Sequence, residues 1–147
     1  MAIHKIDGVD GDNNFPKKLV TLYASGACTA GKFVAITTDT TNGLGASVAD
    51  AAVGAGSTES NGLTFGVATE TVAAGSLVTI QTAGKYENAS VASSTAAGDS
   101  LTGPLGGATA GMADRLAETT FGAVVAVALE AESSNLADVM IVDQGFF

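Results

Sequence analysis

The chain predicts an all-β fold, a small β-barrel or β-sandwich with long Gly/Ala-rich loops and an extended N-terminal arm, and three observations carry that prediction. Short runs rich in Val, Ile, Thr, Phe and Tyr recur between clusters of Gly, Ser, Ala and Asn, which is how strands and turns read in sequence. The side chains are small: 46% of residues are apolar but only 5% are aromatic, there is no Trp, and 19 residues are glycine, a mixture suited to thin, closely packed sheets. A local pattern also repeats, an Ala-Gly turn followed by a strand: Thr29 to Ile36, Ala73 to Ile80, and a shortened copy from Ala96 to Leu101.

The elements follow in order. Residues 1–16 form the arm: Asp7 to Asn14 offers almost no side chain able to build a core, and Phe15-Pro16 closes the segment. Residues 17–147 make a single β domain. Leu19–Tyr23 is a strand of β-formers. Lys32–Thr37 is a strand with Phe33 and Ala35 on one face and Val34 and Ile36 on the other; both faces are apolar, so it is expected to be buried on both sides. Residues 39–62 read as a long loop with room for one short strand. Leu63–Thr69 and Ser76–Thr82 are strands, and Gly84–Val91 is expected to return from Ala83-Gly84 as the second arm of a hairpin. Residues 92–111 read as another loop. Met112–Glu118 is the best helix candidate, about two turns long. Phe121–Leu129 and Asp138–Val142 are the last strands, and the chain ends in Phe146-Phe147.

Fifteen acids against six bases give a net charge of −9. Affinity for phosphate needs clustered Lys and Arg, and here only Lys17 and Lys18 are adjacent, so nucleic acid and anionic membrane are poor partners. One cysteine, Cys28, excludes an internal disulfide, and the first residues lack a signal peptide's basic and apolar regions. The longest apolar run, Gly122–Leu129, is too short to cross a bilayer as a helix. The expectation is a protein free of membrane.

The chemistry-bearing motifs are weak. Gly43-Leu-Gly45-Ala-Ser-Val48 is similar to a dinucleotide fingerprint but has Val48 at the third glycine, and it reads as a flexible loop. Asp10, Asp12 and Asn14 begin like a calcium loop, yet Phe15 stands where glycine is required and Thr21 where a bidentate Glu is. His4 is the only histidine and Cys28 the only thiol, too few for a zinc site; Cys28 reads as a small core residue. Glu70, Glu87 and Glu130 fall at strand ends and read as solvated. No nucleophile elbow is present. These readings predict a non-enzyme with no cofactor and no metal. The remaining candidate positions are interfacial: Phe15, Pro16, Phe146 and Phe147 as aromatic or rigid groups at the chain ends, and Arg115, the only arginine, as a local or intersubunit ion-pair partner.

Taken as an ordered set, Ala30–Ile36, Phe65–Ala68, Ala74–Gly84, Ala97–Leu101 and Phe121–Val125 resemble the small Gly- and Ala-rich capsid decoration (cement) proteins of tailed bacteriophages. The resemblance covers roughly residues 20–142. It implies a β-barrel or β-sandwich subunit on the outer capsid surface of a virion, made in the host cytoplasm, bound to the major capsid protein and usually trimeric. The Ala- and Gly-rich core points the same way, because such a core gains less from burial per residue than one of Leu and Phe, and a homotrimer would supply cover. Another virion component, such as a head fibre base or a minor tail protein, is the chief alternative. A cell-surface β module is a further one, and a small hydrolase or nucleotide-binding enzyme is the competitor from a different class.

Overall fold

The computed structural model describes residues 16–39, 45–51, 63–105, 109–117 and 122–145. Nine strands make up these residues: β1 (Lys18–Ala24), β2 (Phe33–Asp39), β3 (Gly45–Asp50), β4 (Leu63–Ala68), β5 (Leu77–Ser90), β6 (Ser100–Thr102), β7 (Asp114–Arg115), β8 (Ala126–Ala128) and β9 (Leu136–Ile141). Their order is β1-β3-β2-β4-β5-β9-β8-β6-β7, and β1 pairs with β5 as well. That extra pairing closes β1, β3, β2, β4 and β5 into a five-strand ring. All its ladders are antiparallel except β1–β3. The chain is therefore all-β and barrel-like, as its composition predicts.

The 14-residue β5 belongs to two lobes. Its first half pairs with β1 and β4, and its second half, from Gly84 to Ser90, pairs with β9. β9, β8, β6 and β7 follow in sequence of pairing, and a parallel bridge between Val91 and Ala113 brings β7 back to the end of β5. The second lobe thus also curls back on itself. Each lobe has its own core. Ala24, Cys28, Val34, Phe65, Ala68, Val78 and Ile80 fill the ring. Leu101, Val91, Val125, Val139 and Ile141 with several alanines fill the second lobe, together with Phe33 and Val67.

Strands β2 and β4 stand between the two cores, which is why the run from Phe33 to Ile36 is apolar on both faces. Phe33 enters the second-lobe core while Val34 and Ile36 pack on the ring core. On β4 a bulge produces the same division: Val34 pairs with Gly66 and Ala35 with Thr64, so Phe65 is the extra residue. Phe65 then serves the ring core and Val67 the other.

The repeated Ala-Gly pattern is a turn with a defined geometry. The amides of Lys32, Ser76 and Asp99 donate to the carbonyls of Thr29, Ala73 and Ala96, at 3.0, 3.3 and 3.1 Å. In each the third residue is a glycine with positive φ, Gly31 at 81°, Gly75 at 90° and Gly98 at 88°, which is type II geometry. A fourth such turn occurs at Thr109 to Met112, with a 3.0 Å bond and Gly111 at φ 76°.

Several expectations are corrected. Ala83-Gly84 is not a hairpin turn. Gly84 has φ 91°, yet the strand runs on through it; the glycine marks the exchange of partner, Lys18 opposite Ala83 and then Ile141 opposite Gly84. Met112–Glu118 is not a helix over its described residues, 112–117. The Ala113 amide donates to Ser90, the Leu116 amide donates to Ser100, and the Ala113 carbonyl accepts from Ala92. A helix of two turns is unstable alone, and neighbouring strands take its backbone groups. The one short strand for which region 39–62 leaves room is β3, a full partner of β2; the correction there is that Gly45 to Val48 lie in a ladder and not in a flexible loop. The region 92–111 contains β6. Of the described part of Phe121–Leu129, residues 122–129, only Ala126–Ala128 is strand, although the Val125 amide still donates to Leu101; the last strand is Leu136–Ile141, entered through a tight turn with Ser134 and Asn135 at φ 55° and 61°.

Candidate functional site

The polar chemistry on the described surface is used for building. Four cations sit in ion pairs: Lys18 with Asp143 at 3.2 Å, Lys32 with Asp50 at 3.9 Å, Arg115 with Asp99 at 3.6 Å, and Lys85 with Asp138 at 3.2 Å and Glu87 at 3.6 Å. The acids hold turn and strand amides. Asp50 accepts from the Thr29 amide at 2.9 Å and its hydroxyl at 2.8 Å, Glu70 from Thr79 at 3.1 Å, Asp99 from Ala96 at 2.8 Å, and Glu130 from Asp138 at 3.1 Å. Glu70 and Glu130 are exposed, as the sequence suggests, but each has a backbone partner; Glu87 lies inside β5, not at a strand end.

These environments shift protons in the expected directions. Asp143 is held below the usual carboxylate range by the Gly145 amide first and Lys18 second. The hydrogen bond to Asp138, ahead of the other causes, raises Lys85. Burial raises the Tyr86 hydroxyl, which donates to the Ala68 carbonyl at 3.2 Å, with the Gly31 amide acting the other way. The Cys28 thiol is pushed up to about 11, by burial and then by the Asp50 charge. A buried thiol at that value is a protonated core group and a poor nucleophile. Among the described residues no group of three or more His, Cys, Asp or Glu could hold a metal ion, and no helix is long and apolar enough to cross a membrane.

The exposed apolar side chains are what this surface offers to another molecule. Leu19 and Leu77 are the most open, at 58% and 66% exposure, and both belong to the β1–β5 ladder of the ring. The register Leu19–Gln81, Thr21–Thr79, Tyr23–Leu77 puts them on one outer face. Thr21 and Thr79 lie between them with their hydroxyls 3.4 Å apart. Leu129, Leu136 and Val142 form a second, less exposed group on the other lobe, where Lys85 and Asp138 interrupt it.

Of the positions singled out from sequence, Phe15, Phe146 and Phe147 lie outside the described residues. Pro16 is exposed just before β1, with its carbonyl packed over Gly84, 3.0 Å from where a Cβ would stand. Arg115 is exposed on β7 and pairs with Asp99 of the same chain, on the far lobe from Leu19. The structure does not bring Pro16 and Arg115 together. Leu19 and Leu77 were missed. Their signal was present in Leu19–Tyr23 and Leu77–Ile80, where odd and even positions are both apolar or uncharged: in a ring, one parity must face out.

No family model matches the chain. No curated protein matches it. Among solved structures it is similar to the head fiber gp8.5 N base of bacteriophage phi29, at 20% identity and a TM-score of 0.58, over 87% of this chain and 96% of that one. The two share a fold across nearly their whole lengths.

Proposed function

We propose that this chain is a structural, non-catalytic component of a tailed-phage virion, placed on the outside of the head. The single observation carrying the proposal is the fold shared with the phage head fiber base across 87% of the chain, obtained independently of the ordered motifs that resemble decoration proteins. Two coupled lobes held by strand ladders, acids used as turn staples and a buried protonated thiol suit a durable building block. On this reading the chain decorates the shell as a homotrimer, binds the major capsid protein and reinforces contacts between capsomers. The base of a head fibre is the second reading, favoured by the neighbour's own role.

Particles carrying this chain, purified and measured by quantitative mass spectrometry, test the proposal. A copy number comparable with the capsid protein's fits decoration. A few copies per particle, with density extending outward from them, fits a fibre base. Absence from the particle overturns both.

A further inference from the structure

We infer that the two lobes are two copies of one fold, each a pair of equivalent strand–turn–strand units, and that they meet about a pseudo-two-fold axis at the waist, where Gly84 faces its own counterpart. The inference concerns the body of the protein and is independent of the virion reading.

One spacing defines the unit. A buried apolar residue ends a strand, and the seventh residue after it has positive φ and stands in the turn before the next strand: Ala24 and Gly31, Ala68 and Gly75, Val91 and Gly98, Ala128 and Asn135. In the ring the first two units meet as a two-fold pair does, each contact from one to the other recurring in reverse. The Cys28 and Val72 amides donate to each other's carbonyls, at 3.0 and 2.8 Å. Gly31 donates to Ala68 and Gly75 to Ala24, at 2.9 and 2.8 Å; Ala68 donates to Lys32 and Ala24 to Ser76, at 3.0 and 2.8 Å. Phe33–Val67 and Tyr23–Leu77 hold the same place in their two ladders.

The second lobe repeats the scheme. Gly98 donates to Ala128 at 2.8 Å and Ala128 to Asp99 at 2.9 Å, as Gly31, Ala68 and Lys32 do in the ring. Ser100–Val127 and Leu101–Ala126 stand where Phe33–Val67 and Val34–Gly66 stand. The short strands match as well. β3 pairs antiparallel with β2 and meets Ala24 in parallel; β7 pairs antiparallel with β6, and Ala113 beside it bridges Val91 in parallel. The match slips by one residue at the fourth turn, where the Val91 amide donates to Asn135 and not to Leu136, on the side where β5 shifts register between Tyr86 and Ala89.

Exchanging the lobes exchanges the two halves of β5 with β9 and β1. β5 runs unbroken from the second unit into the third. β9 and β1 lie end to end along it, Ile141 opposite Gly84 and Lys18 opposite Ala83, as one strand interrupted. The Lys18–Asp143 ion pair spans the interruption at 3.2 Å, and the Pro16 carbonyl oxygen and Lys17 Cα lie 3.0 and 3.3 Å from where a Gly84 Cβ would stand. Gly84 is therefore the counterpart of the place where the chain enters and leaves the body, and the segments before Pro16 and after Gly145 depart from one spot.

Circular permutants of the full chain, with Phe147 joined to Met1, are the experiment. New ends are tolerated at exposed loops and seldom inside a strand. The pseudo-symmetry makes one exception: opening β5 between Ala83 and Gly84 only copies the break its counterpart already carries. That permutant is expected to give the circular dichroism and single melting transition of the parent, within about 10 °C of a permutant opened between Ala51 and Leu63. A permutant opened between Val78 and Thr79, also inside β5, is expected not to fold. An unfolded Ala83/Gly84 permutant overturns the inference, whether or not the Ala51/Leu63 one folds, and so does a larger drop in its melting temperature. A Val78/Thr79 permutant of equal stability overturns it too, because β5 would then tolerate a break anywhere.

Discussion

Phe33 and Val67 stand directly opposite one another on β2 and β4, and both enter the core of the second lobe and not that of the ring they help to close. The two lobes are therefore welded by side chains as well as by the shared β5. Phe33 is completely buried. Phe33→Ala should cost about 3–5 kcal/mol, and the thermal transition should stay single, because the cavity opens where both lobes meet. Two separated transitions in calorimetry would show that the lobes are independent.

Two glycines should respond differently to a methyl group. At Gly66 a Cβ would stand 2.6 Å from the Gln81 carbonyl oxygen and 2.7 Å from the Ile80 side chain, where the backbone of β5 cannot yield. Gly66→Ala should lose roughly 1–3 kcal/mol, or more, through overpacking. At Gly98 the space is open and only the φ of 88° opposes a side chain. Gly98→Asn should be milder than Gly98→Ala, since Asn tolerates the left-handed region. Urea denaturation of the variants ranks them.

Asp50 ties the first Ala-Gly turn to β3 through its two bonds to Thr29, with Lys32 nearby. Asp50→Ala leaves the Thr29 amide without that acceptor and should cost about 1–3 kcal/mol. Asp50→Asn retains an acceptor and should lose less. The same comparison in chemical denaturation, at fixed salt, checks the order.

Cys28 makes stability fall in alkali. Its folded pKa, about 11, lies above the 9.0 of a free thiol, so the folded state holds its proton more tightly than the unfolded chain does. The associated stability is complete below about pH 9 and is lost as pH rises through the folded value. Melting temperatures measured between those limits should decline, and Cys28→Ala should flatten the decline. A thiol reagent at neutral pH should react with Cys28 only at the rate of unfolding. Equal slopes in both proteins would remove the thiol from the account.

On the proposed virion reading, residues 1–14 and Phe146-Phe147 would anchor the protein to a phage shell. Deletion of residues 1–14, or of Phe146 and Phe147, should leave the circular dichroism spectrum of a β protein while reducing co-sedimentation with shells that lack this chain. Two folded truncations that bind shells unchanged would move the anchor elsewhere.

Local chemistry made much of this molecule legible in advance. The turns at Gly31, Gly75 and Gly98 follow from Ala-Gly pairs because glycine reaches positive φ at little cost, and the double burial of Phe33–Ile36 follows from apolar residues on both parities. Partner choice was not legible. Ala83-Gly84 has the composition of a hairpin and Met112–Glu118 that of a helix, but the first is where β5 changes from β1 to β9, and the second is drawn into pairing by Ser90, Ala92 and Ser100. The candidate surface shows the same division. Residue types determined that an uncharged, partly apolar strand pair would exist at Leu19–Tyr23 and Leu77–Ile80. Only closure of the ring, a matter of contacts between residues some sixty positions apart, decided that Val78 and Ile80 turn inward while Leu19 and Leu77 face out.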